Sequence, residues 1–257
     1  MTNLKPSVTL IIGLAVTAFI WSLLDYTERK NAKAEFDFEA ERIHQLIGKR
    51  ISSYEGLLTG VKAFFMASKE VSLQEWDIYF KKLQFENHYP GLQGIGYVQH
   101  VSTKKDIDKL KARLRTYGMA DYKIKPEGDR TDYFPVVFLE PLNHRNEKAI
   151  GYDIYSETIR RNAIESARSR EATSITRKIT LVQENDKNIQ SGLLMNIPFF
   201  TNERIDKQDL PREIDGIINA VIRMDDFITS LIEPAVLENM HMVIHDQHES
   251  DENILFD

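Results

Sequence analysis

VTLIIGLAVTAFIWSLL, at positions 8–24, is an uncharged apolar run near the start of a chain of 257 residues. As a helix rising 1.5 Å per residue, it nearly covers a hydrocarbon core about 30 Å thick. Trp21 and Tyr26 suit the membrane interface. A cleaved signal peptide is the alternative, with Lys5 as its basic start, but no small-x-small cleavage site precedes the charges that begin at Asp25. The run therefore predicts a retained transmembrane helix over 8–24.

The composition excludes several classes of protein. Lys and Arg number 33 against 39 Asp and Glu, which gives a net charge of -6 with no long block of like charge. Proteins that bind nucleic acid usually present a basic face, so we expect no nucleic-acid partner. Cysteine is absent. The chain therefore has no disulfide, no thiolate metal site and no thiol nucleophile.

The segment 25–70 is predicted to form one long stalk helix. Apolar residues recur along it at steps of three and four, which is one stripe of a helix. The stripe consists of Phe36, Ala40, Ile43, Ile47, Ile51, Tyr54, Leu58, Val61 and Phe65. Such a stripe needs a partner, either the body of its own domain or a second copy of the chain. We expect both, over different parts of its length, and hence a homodimer through the stalk helix.

Beyond the stalk, helices and short strands alternate in two groups. Ser72 and Glu75 form a capping box that begins a helix, and residues 71–200 continue as one α+β unit. A polar connector follows, and GIINAVIRM at 216–224 predicts the first strand of a second unit over 201–257. Because the chain stops partway through that sheet, we expect a fragment cut before a returning membrane helix and an output module.

The order of several short motifs resembles the CHASE domain, a sensory domain found outside the membrane in histidine kinases and nucleotide cyclases and known from plant cytokinin receptors. The likeness covers about residues 36–246. Its motifs are Tyr89-Pro90-Gly91, Gly94-Ile95-Gly96-Tyr97, 132–138 (DYFPVVF), Gly151-Tyr152-Asp153, Arg161–Arg168 and Gly192–Phe200 with Pro198.

The resemblance implies an α+β fold in which an N-terminal transmembrane helix and a long stalk helix precede two stacked PAS-like α/β units. The unit at 71–200 would be distal to the membrane and hold the ligand. The resemblance also implies that residues 1–7 are cytoplasmic, and that the sensory part faces the periplasm from a bacterial inner membrane.

Candidate ligand-binding residues follow from the same resemblance. It places Asp153 at the position of the aspartate that pairs with the ligand. It places Ile175 at the strand position whose backbone amide or carbonyl also contacts the ligand. A carboxylate in an apolar pocket prefers a ligand that donates hydrogen bonds. The alternative is that Asp153 only caps the helix predicted to start near Glu157. Cytokinin itself is not expected, since Tyr152 and Tyr155 depart from the family's pattern.

Alternation along predicted strands supplies the other candidate wall residues. Tyr133, Val136 and Phe138 are expected to share one face, opposite Phe134 and Val137. The further candidates are Tyr97, Thr173, Leu194 and Asn196. The alternative is that all of these residues belong to the core.

Neither a metal nor a catalytic site is predicted. His241 and His245 share a face of a predicted strand while His248 points the other way, so a common ion is not expected. The sequence contains no phosphate-binding loop, no Gly-x-Ser-x-Gly elbow and no kinase signature. We therefore expect a sensor that needs no cofactor.

The sensor is predicted to bind a small molecule and to relay the signal through stalk helices to a cytoplasmic histidine kinase or diguanylate cyclase. Two alternatives remain. A periplasmic protein partner would supply the signal without a small-molecule ligand, or the chain is an enzyme with an unrecognised site.

Overall fold

The computed structural model describes residues 6–184 and 189–257. The chain divides into two compact units, residues 1–49 and 50–257. Helix α1 runs over Pro6–Ala67. It is the only helix in the described ranges that is long and apolar enough to cross a membrane. Of the predicted cytoplasmic segment 1–7, residues 1–5 lie outside the described residues.

The apolar start of α1 leaves its side chains exposed. Phe19 and Trp21 are 68% and 69% exposed, although apolar side chains of this size are normally buried in water-soluble proteins. An apolar surface of this kind suits contact with lipid, and the apolar start of α1 is a candidate membrane span by its length and composition.

The unit at 50–257 contains six further helices and eight strands among its described residues. The helices are α2 (Leu73–Leu83), α3 (Phe85–His88), α4 (Lys104–Thr116), α5 (Thr158–Arg170), α6 (Met224–Thr229) and α7 (Pro234–Asn239). The strands are β1 (Leu92–Gln99), β2 (Val136–Glu140), β3 (Ser174–Ile175), β4 (Ile179–Thr180), β5 (Ser191–Phe200), β6 (Ile214–Arg223), β7 (Ile244–His245) and β8 (Ile254–Phe256). The α+β prediction, with a long N-terminal helix, is confirmed.

Local sequence signals account for where α2 and α4 begin. The predicted capping box is present, since Glu75 N–H donates to the Ser72 hydroxyl and Ser72 N–H donates to the Glu75 carboxylate. Helix α4 begins after Thr103, whose hydroxyl accepts from Asp106 N–H.

Six strands form one antiparallel sheet in the order β2-β1-β6-β5-β3, with β4 also paired to β5. The boundary predicted after residue 200 is therefore wrong at one element. The sequence pattern places strand β6 in the second unit, yet the strand lies between β1 and β5, with Ile218 opposite both Tyr97 and Ile197. Pairing on both sides satisfies its backbone and buries its apolar run, which an edge position in a small second sheet would not do. Strands β7 and β8 form a separate two-stranded sheet.

One face of the sheet is covered by an aromatic layer from α1 and α2. The Phe65 ring lies 4.5 Å from the Tyr97 ring, and the Trp76 ring lies 5.6 Å from the Phe138 ring, measured between centroids. Tyr54, Leu58 and Phe65 are almost fully buried. The upper part of the predicted stripe is therefore core within its own chain.

Helix α5 and the segment 149–155 cover the other face. Ile164 of α5 and Ile154 pack with Leu194, Ile217 and Val221 of the sheet in one buried apolar cluster. Both faces of the sheet are thus closed, which fits the near-continuous apolar runs of β5 and β6.

A β-bulge in the β1–β2 pair contradicts the predicted alternation of wall residues. Tyr97 is opposite Phe138 and Val98 is opposite Val136, with the register shifting between the two pairs. Residues directly opposite each other share a face, so Phe138 lies on the aromatic side and Val136 on the α5 side. The prediction that Val136 and Phe138 share a face is therefore wrong.

Gly151 allows the chain to pass close to a neighbouring backbone. Its φ is +79°, and a Cβ built there would lie 2.0 Å from the carbonyl oxygen of Lys123. Gly151 N–H donates to Val136 O, and Lys125 N–H donates to Gly151 O. These bonds hold the residues just before Asp153 between two other segments.

We expect Gly151→Ala to destabilise the protein more than Gly118→Ala does. Both glycines have positive φ, which costs alanine about 1 kcal/mol, but nothing lies within 4 Å of a Cβ at Gly118. The clash at Gly151 should add about 2 kcal/mol. Urea unfolding of the full chain in detergent micelles measures the difference, and equal losses in the two variants would contradict the close approach.

Candidate functional site

A small cavity lies between the sheet and the elements that cover its α5 face. Its volume is about 20 Å³, which is room for one water molecule and far below the several hundred Å³ of a typical ligand pocket. The lining comprises Val136, Leu139, Ala149, Tyr152, Ile154, Arg160, Leu181, Val182, Gln183, Leu194, Asn219 and Val221. The lining is therefore mostly apolar, with four polar side chains: Tyr152, Arg160, Gln183 and Asn219.

The most unusual group at the cavity is the carboxamide of Asn219 on β6. Asn219 is 3% exposed, and its Oδ1 accepts no hydrogen bond from any described residue. Gly96 makes room for it, because a Cβ at Gly96 would lie 2.5 Å from that oxygen. An unpaired buried polar group costs about 1–3 kcal/mol, so such a group calls for a partner.

Asn196 stands directly opposite Asn219 on the neighbouring strand β5. Opposed residues of an antiparallel pair project to the same face. Both amide atoms of Asn196 are buried and make no hydrogen bond within the described part of the chain. The two carboxamides, called here the amide pair, form a polar patch in the apolar α5 face of the sheet.

Arg160 brings a positive charge to the same cavity from the first turn of α5. Its guanidinium donates to Glu157 and to the carbonyl of Thr180, and it lies over the Tyr152 ring. Burial by itself would raise the pKa of the Glu157 carboxyl, but the N–H groups of Ile159 and Arg160 and the guanidinium lower it overall. Arg160 is therefore held in place by an ionised cap and by strand β4.

Asp153 is fully buried, but its carboxylate faces protein groups rather than the cavity. It accepts hydrogen bonds from Phe134 N–H at 2.8 Å, from Tyr155 N–H at 3.1 Å and from Arg130 Nε at 2.8 Å. The bond from Tyr155 caps the short 3-10 helix Ile154–Ser156. The cap of α5 is Glu157. Asp153 is therefore a capping residue, but of this 3-10 helix and not of α5 as the alternative predicted.

The structure separates the other predicted wall residues. Val136 and Leu194 line the cavity, and Asn196 belongs to the amide pair beside it. Tyr97 and Phe138 lie on the aromatic face. Tyr133 lies near Arg130, whose guanidinium carbon is 4.8 Å from the centre of its ring.

The remaining two candidates are near the surface. Ile175 on β3 is 39% exposed and lines an open groove with Ile159 and Asn162 of α5. The Thr173 hydroxyl donates to the Glu55 carboxylate of α1. Neither residue lines the enclosed cavity.

Sequence reasoning missed Asn219, Arg160 and Gln183. The signal for Asn219 was present, since it is a single amide within the apolar run GIINAVIRM. The same signal marks Asn196 in LLMNIPFF. A lone polar residue at an inward position of a buried strand is unfavourable unless something pairs with it.

The histidines near the carboxyl end do not converge on an ion. His241 pairs with Asp257 at 2.9 Å from Nε2 to Oδ1. Within residues 6–184 and 189–257, no group of three His, Asp or Glu side chains has the arrangement of a metal site.

The comparison with protein families agrees with the sequence motifs. A family model of the CHASE domain matches residues 69–256. The comparison with curated proteins found no match. Among solved structures, the chain is similar to the periplasmic sensory domain of the Campylobacter jejuni chemoreceptor Tlp1, at 13% identity and a TM-score of 0.42. That match covers 76% of this chain, and this chain spans 60% of that structure.

We expect Asp153→Asn to destabilise the protein by about 3 kcal/mol, because it removes the buried member of an ion pair and leaves the partly buried Arg130 guanidinium without its counter-charge. Asp129→Asn makes the same chemical change at an exposed site and should stay within about 0.5 kcal/mol of the parent. Urea unfolding of both variants measures the difference. A fully stable Asp153→Asn variant would show that the Arg130 contact contributes little, and would reopen a ligand-pairing role for Asp153.

Proposed function

This chain belongs to the CHASE domain family, and on that premise we propose that it is the periplasmic sensory part of a membrane-anchored receptor that responds to a small molecule. The observation that carries the proposal is the unpaired Oδ1 of the buried Asn219, a residue that lines a small cavity in the sensory unit. A ligand with complementary donors and acceptors would relieve the cost of burying that amide unpaired.

The ligand site we propose is the cavity together with the amide pair. Asn219, Asn196 and Gln183 would set hydrogen-bond specificity, while Val136 and Leu194 would supply apolar contact. Arg160 would favour an electron-rich or acidic group. From the sequence-derived candidates, Asp153 enters this proposal as a group that fixes the segment carrying the wall residues Tyr152 and Ile154, through its bonds from Phe134 N–H and Arg130, rather than as a ligand contact. Tyr133 lies beside Arg130 and outside the wall.

The small volume of the cavity makes opening part of the mechanism. A molecule larger than water must displace side chains such as Leu181, which packs directly over Gly192. A ligand shifts an equilibrium only by binding one arrangement more tightly than the other. Expansion of this closed cavity would provide that difference, and the signal would pass through the stalk helices to a cytoplasmic histidine kinase or diguanylate cyclase.

The same small volume favours a second candidate function. If a water molecule satisfies the amide pair, the interior needs no ligand, and a periplasmic protein partner would supply the signal at the surface. The two functions differ in whether a small molecule stabilises the chain.

We expect thermal-shift screening of the full chain in detergent micelles, against amino acids, purines, polyamines and carboxylates, to find a compound that raises the melting temperature. Asn219→Leu should abolish that shift, because leucine offers no hydrogen bond to the compound. Ile218→Val lies on the other face of the same strand and serves as the matched control, so its shift should be retained. Flat melting curves across the whole screen would favour the protein-partner function instead.

We also propose that the chain forms a homodimer through the lower part of α1. Phe36 lies on the predicted stripe and is 55% exposed, while Phe38 is 71% exposed and points to a different side of the helix. The upper part of the stripe is buried within the chain's own sensory unit. An exposed apolar stripe on a helix is typical of helix pairing.

Cysteine cross-linking tests this pairing without background, since the chain contains no cysteine. In membranes under mild oxidation, we expect Phe36→Cys to form a disulfide-linked dimer and Phe38→Cys to form far less, because only the first position faces the partner. Non-reducing gel electrophoresis measures the ratio. Equal cross-linking at both positions would contradict the predicted interface.

A further inference from the structure

A second recess lies on the aromatic side of the sheet, away from the cavity of the amide pair. Its volume is about 260 Å³, and it opens beside Phe65, in the last turn of α1, and Tyr97 of β1. Its charged lining comprises Lys69, Glu70, Arg113, Arg204, Lys207 and Asp215. The lining therefore has four cationic and two anionic side chains, which is a local excess of positive charge in a protein whose overall net charge is -6.

The two carboxylates already have partners of opposite charge. Asp215 accepts from Arg204 Nε at 2.6 Å, and this arginine also approaches the carbonyls of Ser68 and Lys69. Glu70 lies 3.5 Å from Arg113 Nε and accepts from the Tyr117 hydroxyl. The charges of both acids are thus matched by the two arginines.

Lys69 and Lys207 supply the positive charge that the two carboxylates do not balance. Neither ammonium group forms an ion pair or a side-chain hydrogen bond within residues 6–184 and 189–257. The recess therefore carries two uncompensated positive charges. Charged clefts with low-dielectric walls attract ions of opposite sign more strongly than isolated surface charges do.

Two further residues of the lining, Arg113 and Tyr97, carry hydrogen-bond donors. Arg113 Nε is a buried donor with no hydrogen-bond acceptor within 6–184 and 189–257, while the Nη2 of the same guanidinium donates to the Gln99 side chain. Burial raises the pKa of Tyr97, so its hydroxyl stays protonated and can donate. Unused donors and surplus positive charge together describe a site for an acceptor-only group such as an oxyanion.

We propose that this recess binds a small oxyanion, such as a phosphate or the carboxylate of a solute, between Lys69, Arg113 and Lys207. The site joins three separate parts of the chain. Lys69 follows α1 by two residues, Arg113 is on α4, and Lys207 is in the connector before β6. The connector is already attached to the end of α1, because Ile205 N–H donates to Met66 O at 3.0 Å. A bound anion would therefore strengthen the attachment of the α1 end to the sheet.

The test is calorimetric titration of the full chain in detergent micelles, with inorganic phosphate in one arm and succinate in the other, at constant ionic strength. We expect saturable binding in at least one arm. The double variant Lys69→Gln/Lys207→Gln should weaken that binding at least about tenfold, which corresponds to about 1.4 kcal/mol for the two contacts together. The arm that binds identifies the class of oxyanion.

The matched control is the double variant Lys105→Gln/Lys148→Gln, which removes the same charge from exposed lysines outside the recess. It should bind within about twofold of the parent if the effect is local rather than one of overall charge. Absence of saturable binding in both arms of the parent would overturn the proposal. So would equal weakening in the two double variants. The proposal does not depend on the ligand cavity, since the two sites lie on opposite faces of the sheet.

Discussion

The double-sided pairing of β6 is the constraint on which the rest of the sensory unit depends. This strand is bonded to β1 on one side and to β5 on the other, so it closes the sheet into one continuous layer. A layer with two apolar faces must be covered on both. The end of α1 and α2 cover one face with aromatic rings, and α5 covers the other with aliphatic side chains.

The same pairing creates the chemistry of the candidate ligand site. Asn219 of β6 and Asn196 of β5 are brought face to face by the register of these two strands. In an unfolded chain both amides would bond to water, whereas in the sheet both are enclosed among apolar groups. Folding therefore concentrates unmet hydrogen-bonding capacity at one place, beside a cavity that Arg160 and Gln183 also reach.

The two faces of the sheet offer different chemistry. The α5 face presents a small, mostly apolar cavity with a few polar groups, a lining of the kind that small organic molecules bind, although its volume must expand to admit one. The aromatic face ends in an open recess with surplus positive charge, which suits an anion. Strand β1 contributes to both, since Tyr97 lines the recess and Gly96, the adjacent residue, makes room for Asn219.

Local patterns in the sequence determined the elements that depend on neighbours along the chain. The long run without a charged residue predicted the apolar start of α1, and the capping box predicted the start of α2. The order of the short motifs identified the family. Tertiary structure alone decided three matters that depend on partners distant in sequence: the place of β6 in the first sheet, the bulge that separates Val136 from Phe138, and the pairing of Asp153 with Arg130. The physical reason is that helix caps and hydrophobic periodicity act over a few residues, whereas strand order, register and the partner of a buried charge are set by contacts between segments tens of residues apart.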